Sequence, residues 1–243
     1  MKIEKEVAIF IHTNENFFEA KFCIENLITK TKVPYRLYIL NQNSDNIEFI
    51  DYLNGLTKRV NCFVKHIKNN VSLSDIFNSM IDMVYQKYIV FFPYNILVNE
   101  NWLLDLIHSY ECIDNSGCIS IKNTTENLCL SSVLFKKINK PNDEMRTVYF
   151  NKTNILKDFI FFGKDKLKLV GKFNSNLKIL GLEINEFTFR FLGHGFINYY
   201  IKYQNCLRLK VIDKKVFPEI TDDTKENLKN QLNIMVNLEQ YKK

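Results

Sequence analysis

Residues 88–92, Tyr88-Ile89-Val90-Phe91-Phe92, form a bulky apolar run with no polar alternation. A strand that faces water on one side alternates apolar and polar residues, whereas a strand buried on both sides does not. This run therefore demands a sheet with helices over both faces. The rest of the chain supplies them, because short apolar runs alternate with amphipathic stretches. Val7–Ile11, Arg36–Leu40 and Val60–Ile67 read as strands. Phe18, Phe22, Ile24, Leu27 and Ile28 recur at helical spacing, and residues 47–56 form a second helix. Ser72 with Asp75 three residues on reads as a capping box ahead of the stripe Leu73, Ile76, Phe77, Met80, Ile81 and Val84. Residues 101–113 return as a helix and 117–121 as a strand.

The second half is less regular. Residues 130–135, 147–150 and 159–162 read as strands, with 136–144 an exposed polar loop containing Pro141. A short helix over 164–170, a helix over 184–192 and strands at 196–201 and 207–212 follow. In the tail, Leu228, Leu232, Met235 and Leu238 share one helical face, which gives a C-terminal helix over 221–243 able to dock or to dimerise. The whole reads as a single α/β domain over 1–220, a Rossmann-like, mixed but mostly parallel sheet with helices on both faces.

Several classes of function are excluded. The longest apolar stretch, residues 88–98, is broken by Pro93 and Asn95 and falls short of the roughly 18–20 residues of a membrane span. The apolar start, Val7–Ile11, is too short for a secretory signal and reads as a buried strand. The six cysteines show no C-x-x-C pair and no zinc-finger spacing, so they read as free, mostly buried thiols of a reducing cytoplasm. A cytoplasmic location, with peripheral contact at a membrane allowed, is the expectation. The net charge of +6 is carried mostly by lysine, which binds anions as a point charge. No arginine-rich groove or helix-turn-helix signal accompanies it, and no nucleic-acid partner is expected. Neither a phosphate-binding loop nor a nucleophile elbow is present.

Four ordered segments over roughly residues 5–205 resemble the family 2 glycosyltransferases of the GT-A fold. The first, residues 7–15, is similar to the family's opening strand ending in Pro-Thr-Tyr-Asn, with His12 in the proline's place and Thr13 kept. The second, Tyr38-Ile39-Leu40-Asn41-Gln42-Asn43-Ser44, resembles a strand ending Asp-Asp-Gly-Ser; Asn41 replaces aspartate and Ser44 is retained. The third runs from Asn70 through Asn78 to residues 88–97 and Asn101-Trp102-Leu103. There the family's Asp-x-Asp aspartates fall on Pro93 and Asn95, around Tyr94. The fourth ends in Gly181-Leu182-Glu183-Ile184-Asn185-Glu186-Phe187, where Ile184 occupies the position of the family's usual base.

The resemblance implies a nucleotide-sugar half over 1–122 and an acceptor half over 123–220. It implies a nucleotide-sugar donor, a UDP-sugar foremost, bound by Thr13, Asn41, Ser44, Asn70, Asn78, Tyr94 and Asn95. The acceptor would be a hydroxyl of a glycan, a lipid carrier or a protein, and transfer would invert the anomeric centre. Charge building on the leaving diphosphate must be neutralised, commonly by a metal held by carboxylates. Pro93 offers no side-chain oxygen and Asn95 only a neutral one, so metal dependence should be weak or absent, with Asn95 the one candidate ligand. Lys65, Lys122 or Lys164 could supply fixed positive charge instead. A base must also reach the acceptor hydroxyl, and Glu183 and Glu186 are the carboxylates at hand. Glu186 with Arg190 also reads as an i,i+4 surface pair, and His194 between Gly193 and Gly195 as a helix end. The competing reading is a non-catalytic GT-A subunit that has lost metal and base.

Overall fold

A computed structural model describes residues 7–13, 17–42, 45–68, 71–121, 133–137, 147–153, 156, 159–177, 182–201 and 207–208. The first half runs β1 (Val7–Thr13), α1 (Phe17–Lys30), β2 (Tyr35–Gln42), α2 (Ile47–Arg59), β3 (Cys62–Ile67), α3 (Leu73–Met83) and β4 (Tyr88–Pro93). The short β5 (Ile96–Leu97), α4 (Trp102–Cys112) and β6 (Ser116–Ile121) follow. The second half contains β7 (Val133–Lys137), β8 (Thr147–Thr153), β9 (Ile160–Gly163), α5 (Leu167–Val170), α6 (Glu183–Gly193), β10 (Ile197–Ile201) and β11 (Leu207–Arg208).

Among the described residues the strands form a nine-stranded sheet in the order β3-β2-β1-β4-β9-β6-β10-β8-β7, and β5 pairs with β11 in a separate ribbon. β3, β2, β1 and β4 are mutually parallel, as are β6 and β10. β9 runs against β4 and β6, and β8 against β10 and β7. This is the mixed, mostly parallel α/β sheet read from the sequence.

Alternation along each central strand sends side chains into two separate cores. Val7, Ile9 and Ile11 of β1, Leu37 and Ile39 of β2, and Tyr88, Val90 and Phe92 of β4 pack under α1, α2 and α4. Ala8 and Phe10, Tyr38 and Leu40, and Ile89 and Phe91 pack under α3 and α6. Trp102 is fully buried, and its indole N–H still finds a partner, the Thr31 hydroxyl, at 2.9 Å. Ser72 caps α3 as read: the Asp75 N–H donates to Ser72 Oγ at 3.1 Å, while the Asp75 carboxylate takes the Ser72 hydroxyl at 2.6 Å. Helix α6 ends as read, with Gly193 its last residue and Gly195 at φ +81°, a left-handed conformation glycine adopts without penalty. At Gly171, φ is +79°, and a Cβ there would also press on the Arg190 guanidinium at 3.3 Å.

Three details differ from the sequence reading. Lys136 and Lys137 belong to β7 and not to the loop assigned to 136–144, the rest of which lies outside the described residues. The helix over 164–170 starts as a 3-10 turn, Lys164–Lys166, before α5. β5 was not legible, because two residues carry no periodicity. The four described cysteines, Cys23, Cys62, Cys112 and Cys118, are free, and only Cys23 and Cys118 are fully buried. The tail assigned to a C-terminal helix lies outside the described residues. Among those described, no helix is long and apolar enough to cross a membrane.

Candidate functional site

Strand β1 has β2 on one side and β4 on the other, so the chain winds outward to β3 and then returns past its own start. In open α/β sheets such a reversal leaves a crevice at the carboxyl ends of the strands, where ligands bind. Pro93 pairs across the reversal with His12, and the next row outward joins Thr13, Asn41 and His66 on three adjacent strands.

These rows carry two hydrogen-bonded relays, one on each face of the sheet. On the face covered by α2, the Thr13 hydroxyl lies 3.3 Å from Asn41 Oδ1 and 3.4 Å from the Leu40 carbonyl. Asn41 Nδ2 lies 3.1 Å from His66 Nδ1, and His66 Nε2 lies 3.2 Å from Asn54 Oδ1 on α2. On the face covered by α3, His12 Nε2 bonds Gln42 Oε1 at 2.8 Å, and Gln42 Nε2 donates to the Val71 carbonyl at 3.0 Å. Thr13 and Asn41 are buried. Burial lowers the pKa of His12, against a smaller opposing pull from its bond to Gln42, so its imidazole is held neutral. Thr13, Asn41, Gln42 and His12 thus present a polar, hydrogen-bonded edge.

The turn after β4 holds Tyr94 and Asn95, both half-buried. It is clamped from α1: the Cys23 thiol donates to the Ile96 carbonyl at 2.8 Å and approaches the Pro93 carbonyl at 3.4 Å. The Asn26 side chain takes the Val98 N–H at 2.8 Å. Burial pushes the Cys23 thiol up to about 12, so it remains a protonated donor.

Helix α6 leads into β10, which runs parallel to β6, so α6 begins at the same carboxyl edge. Its first turn brings in Glu183 and Glu186, both buried. Acidic groups suit this end of a helix, where unpaired N–H groups leave partial positive charge. Glu186 and Arg190 form the i,i+4 pair read from the sequence, with Oε1 2.6 Å from Nε and Oε2 3.1 Å from Nη2. The pair is not on the surface, however: Glu186 is 9% exposed. Arg190 also donates to the Val170 and Lys172 carbonyls, both at 2.6 Å, which ties α6 to the end of α5 and the turn beyond it. Ile184, at the position of the family's base, is packed into the core under α6.

The structure thus brings Thr13, Asn41, Tyr94, Asn95, Glu183 and Glu186 to one edge of the sheet. Asn78 is not among them. It lies more than one turn into α3, and its amide exchanges two bonds of 2.9 Å with the Phe173 backbone. Ser44 and Asn70 lie outside the described residues, as does Lys122. Lys164 is corrected as a source of positive charge: its backbone N–H bonds the Lys87 carbonyl and its ammonium the Val84 carbonyl, at the opposite edge of the sheet. Lys65 is exposed on β3. His66, Gln42, Asn54 and Cys23 were missed as members of the site, since only strand register puts them in reach of Asn41 and the β4 turn.

A divalent cation is the group the resemblance implies beside a diphosphate, and the described residues of this edge do not fit one. Pro93 has no side-chain ligand, and its carbonyl faces Cys23. Among the described residues no three His, Cys, Asp or Glu side chains converge where a metal ion could sit.

No family model and no curated protein matches the sequence. Solved structures do. A mannosyltransferase from Pyrobaculum calidifontis, in complex with GDP-Man and Mn2+, matches at a TM-score of 0.63 and 9% identity over 87% of this chain and 58% of its own. GalNAc-T7 with UDP, GalNAc and Mn2+ matches at 0.67 and 11% over 91% and 47%. S. aureus TarS 1-349 in complex with UDP-GlcNAc matches at 0.64 and 12% over 91% and 64%. The chain spans about half to somewhat under two thirds of these proteins. At such identities the likeness is one of architecture, and the architecture of this chain is the GT-A fold of glycosyltransferases.

Proposed function

We propose that this protein is a family 2-like glycosyltransferase, which moves a sugar from a nucleotide-sugar donor to a hydroxyl of a glycan, lipid-linked or protein acceptor with inversion. The observation that carries the reading is that the Thr13–Asn41 row and the first turn of α6, with Glu183, both lie at the carboxyl edge of a GT-A sheet. Thr13 and Asn41 receive the nucleotide, with a uracil base preferred. Tyr94 and Asn95 flank the diphosphate. Glu183 takes the proton of the acceptor hydroxyl as its oxygen attacks the anomeric carbon, and the bonding pair of the broken bond leaves with the diphosphate. Glu186, already paired with Arg190, is the lesser candidate for that role. The donor half is 1–122, the acceptor half 123–220, and a C-terminal helix from 221 offers an oligomer contact.

With Pro93 and Asn95 at the positions of the family's aspartates, donor binding should need little or no metal. The same substitutions favour a second reading, a non-catalytic binding or scaffold subunit, and the burial of Ile184 in the core supports it. Calorimetric titration with UDP, GDP and a panel of nucleotide sugars, with Mn2+ or with chelator, followed by turnover assays, separates them. Binding in chelator with turnover lost in Glu183→Gln is the result expected. Binding without turnover for every donor and acceptor class favours the subunit as a nucleotide binder, and absence of all binding rejects the enzyme and favours the subunit as a scaffold.

A further inference from the structure

The Thr13–Asn41–His66–Asn54 row is consistent with only one proton arrangement. An amide nitrogen can only donate, so Asn41 Nδ2, 3.1 Å from His66 Nδ1, makes that ring nitrogen an acceptor. The ring proton then sits on Nε2 and is donated to Asn54 Oδ1 at 3.2 Å. With His66 neutral, Asn41 therefore turns its nitrogen to the ring and its oxygen to the Thr13 hydroxyl, 3.3 Å away.

A second proton on the ring reverses this. Nδ1 becomes a donor and meets the Asn41 N–H groups head on. A half-turn of the Asn41 amide relieves the conflict, setting Oδ1 against His66 and Nδ2 against Thr13. Thr13 allows it, because its hydroxyl can donate to the Leu40 carbonyl at 3.4 Å and accept from Asn41. The Nε2 bond to Asn54 serves both settings. The row is thus a two-position switch, and the proton on His66 selects the position.

We propose that His66 is a positioning residue for nucleotide recognition: its protonation state sets which way the Asn41 amide faces a bound base. This rests on the placement of the nucleotide at this edge argued above. An amide presents one donor beside one acceptor, and uracil offers the complementary pair in its N3–H and an adjacent carbonyl. The half-turn exchanges donor and acceptor, so a base matched to neutral His66 is mismatched to the protonated ring. Among the described residues β3 is the last strand of the sheet, and His66 is exposed on it, so solvent also reaches the ring. Asp51 and Lys58 share the α2 face of Asn54, Lys65 precedes it on β3, Lys68 follows, and Asn41 and Gln42 on β2 are uncharged.

The test titrates the full-length protein between about pH 5 and 8, the range in which histidine changes charge. One readout is the NMR signals of the Asn41 side-chain amide, assigned by their loss in Asn41→Ala, together with those of the His66 ring. The other is calorimetric affinity for a UDP-sugar, whose diphosphate diester keeps constant charge over this range. The Asn41 and His66 signals should share one midpoint, and affinity should fall about five- to tenfold on acidification, the worth of one to two hydrogen bonds. His66→Asp places a permanent acceptor near the Nδ1 position; it should keep the alkaline affinity at both ends of the range, whereas His66→Ala should bind weakly and without pH dependence. Independent titration of Asn41 and His66, or a His66→Asp profile as steep as that of the native protein, overturns the proposal. If no nucleotide binds at any pH, the functional reading above fails, and the shared or separate midpoints of the two residues alone decide for or against the switch.

Discussion

The two ends of the candidate site solve the burial of polar groups in opposite ways. At the ends of β1 and β2, Thr13, Asn41, Gln42 and His12 carry no charge, and each is bonded to a side chain on a neighbouring strand. At the start of α6 they are carboxyl groups: Glu183 and Glu186 are buried, and Glu186 is held by a guanidinium that also secures two backbone carbonyls. Neutral relays are inexpensive to break and can exchange donors for acceptors without moving the backbone. A buried ion pair is expensive to break and fixes the geometry around it. The first kind of edge suits recognition of a base that must enter and leave, and the second suits a group whose position is set in advance.

Experiments can break or sharpen this contrast. The largest effect belongs to Glu183→Gln, which should cut turnover about 10²- to 10⁴-fold, the usual worth of a general base, with nucleotide affinity little changed. An equal loss of affinity would mean that Glu183 is part of the donor edge. Next comes Arg190→Met, which strands the Glu186 carboxylate and frees the Val170 and Lys172 carbonyls; a loss of about 3 kcal/mol in urea unfolding is expected. The matched change at the neutral edge, Thr13→Val, should cost only about 1 kcal/mol, since its two contacts are long, 3.3 and 3.4 Å. Equal costs for these two variants would end the contrast.

His12 yields a smaller, pH-dependent effect. Its folded-state pKa lies below the unfolded value, so below about pH 6.5 the unfolded chain binds more protons than the folded one. Stability should therefore fall as pH drops from 7.5 to 5.5, by at most about 1.4 kcal/mol per pH unit from this residue. His12→Asn should flatten that slope, and an unchanged slope would assign it to other groups. The smallest signal is in thiol chemistry. Cys23 and Cys62, each pushed up to about 12 by burial, should resist a maleimide at pH 8 until the protein unfolds. Rapid labelling of Cys23 in the native state would show the turn after β4 to be open.

The strands were legible because bulky apolar runs such as residues 88–92 can be accommodated only in a sheet covered on both faces. The helices were legible because their apolar stripes repeat with helical period, and α3 because Ser72 and Asp75 announce its start. Of the site, the positions of Thr13, Asn41, Tyr94, Asn95 and Glu183 followed from an ordered resemblance. The spent amide of Asn78 did not, because its partner Phe173 is 95 residues away and no local pattern records that distance.

By itself, then, the sequence determined which stretches become strands and helices, how their faces divide, and which residues stand at the ends of β1, β2 and β4. Those properties are local, since period and capping act over a few residues. Only the tertiary structure decided that His66 reaches Asn41, that Cys23 clamps the turn after β4, that Lys164 faces the far edge, and that Glu186 is buried against a half-buried Arg190. Each depends on strand register or on the side of the sheet a helix takes, and both are set by packing between residues far apart in the chain.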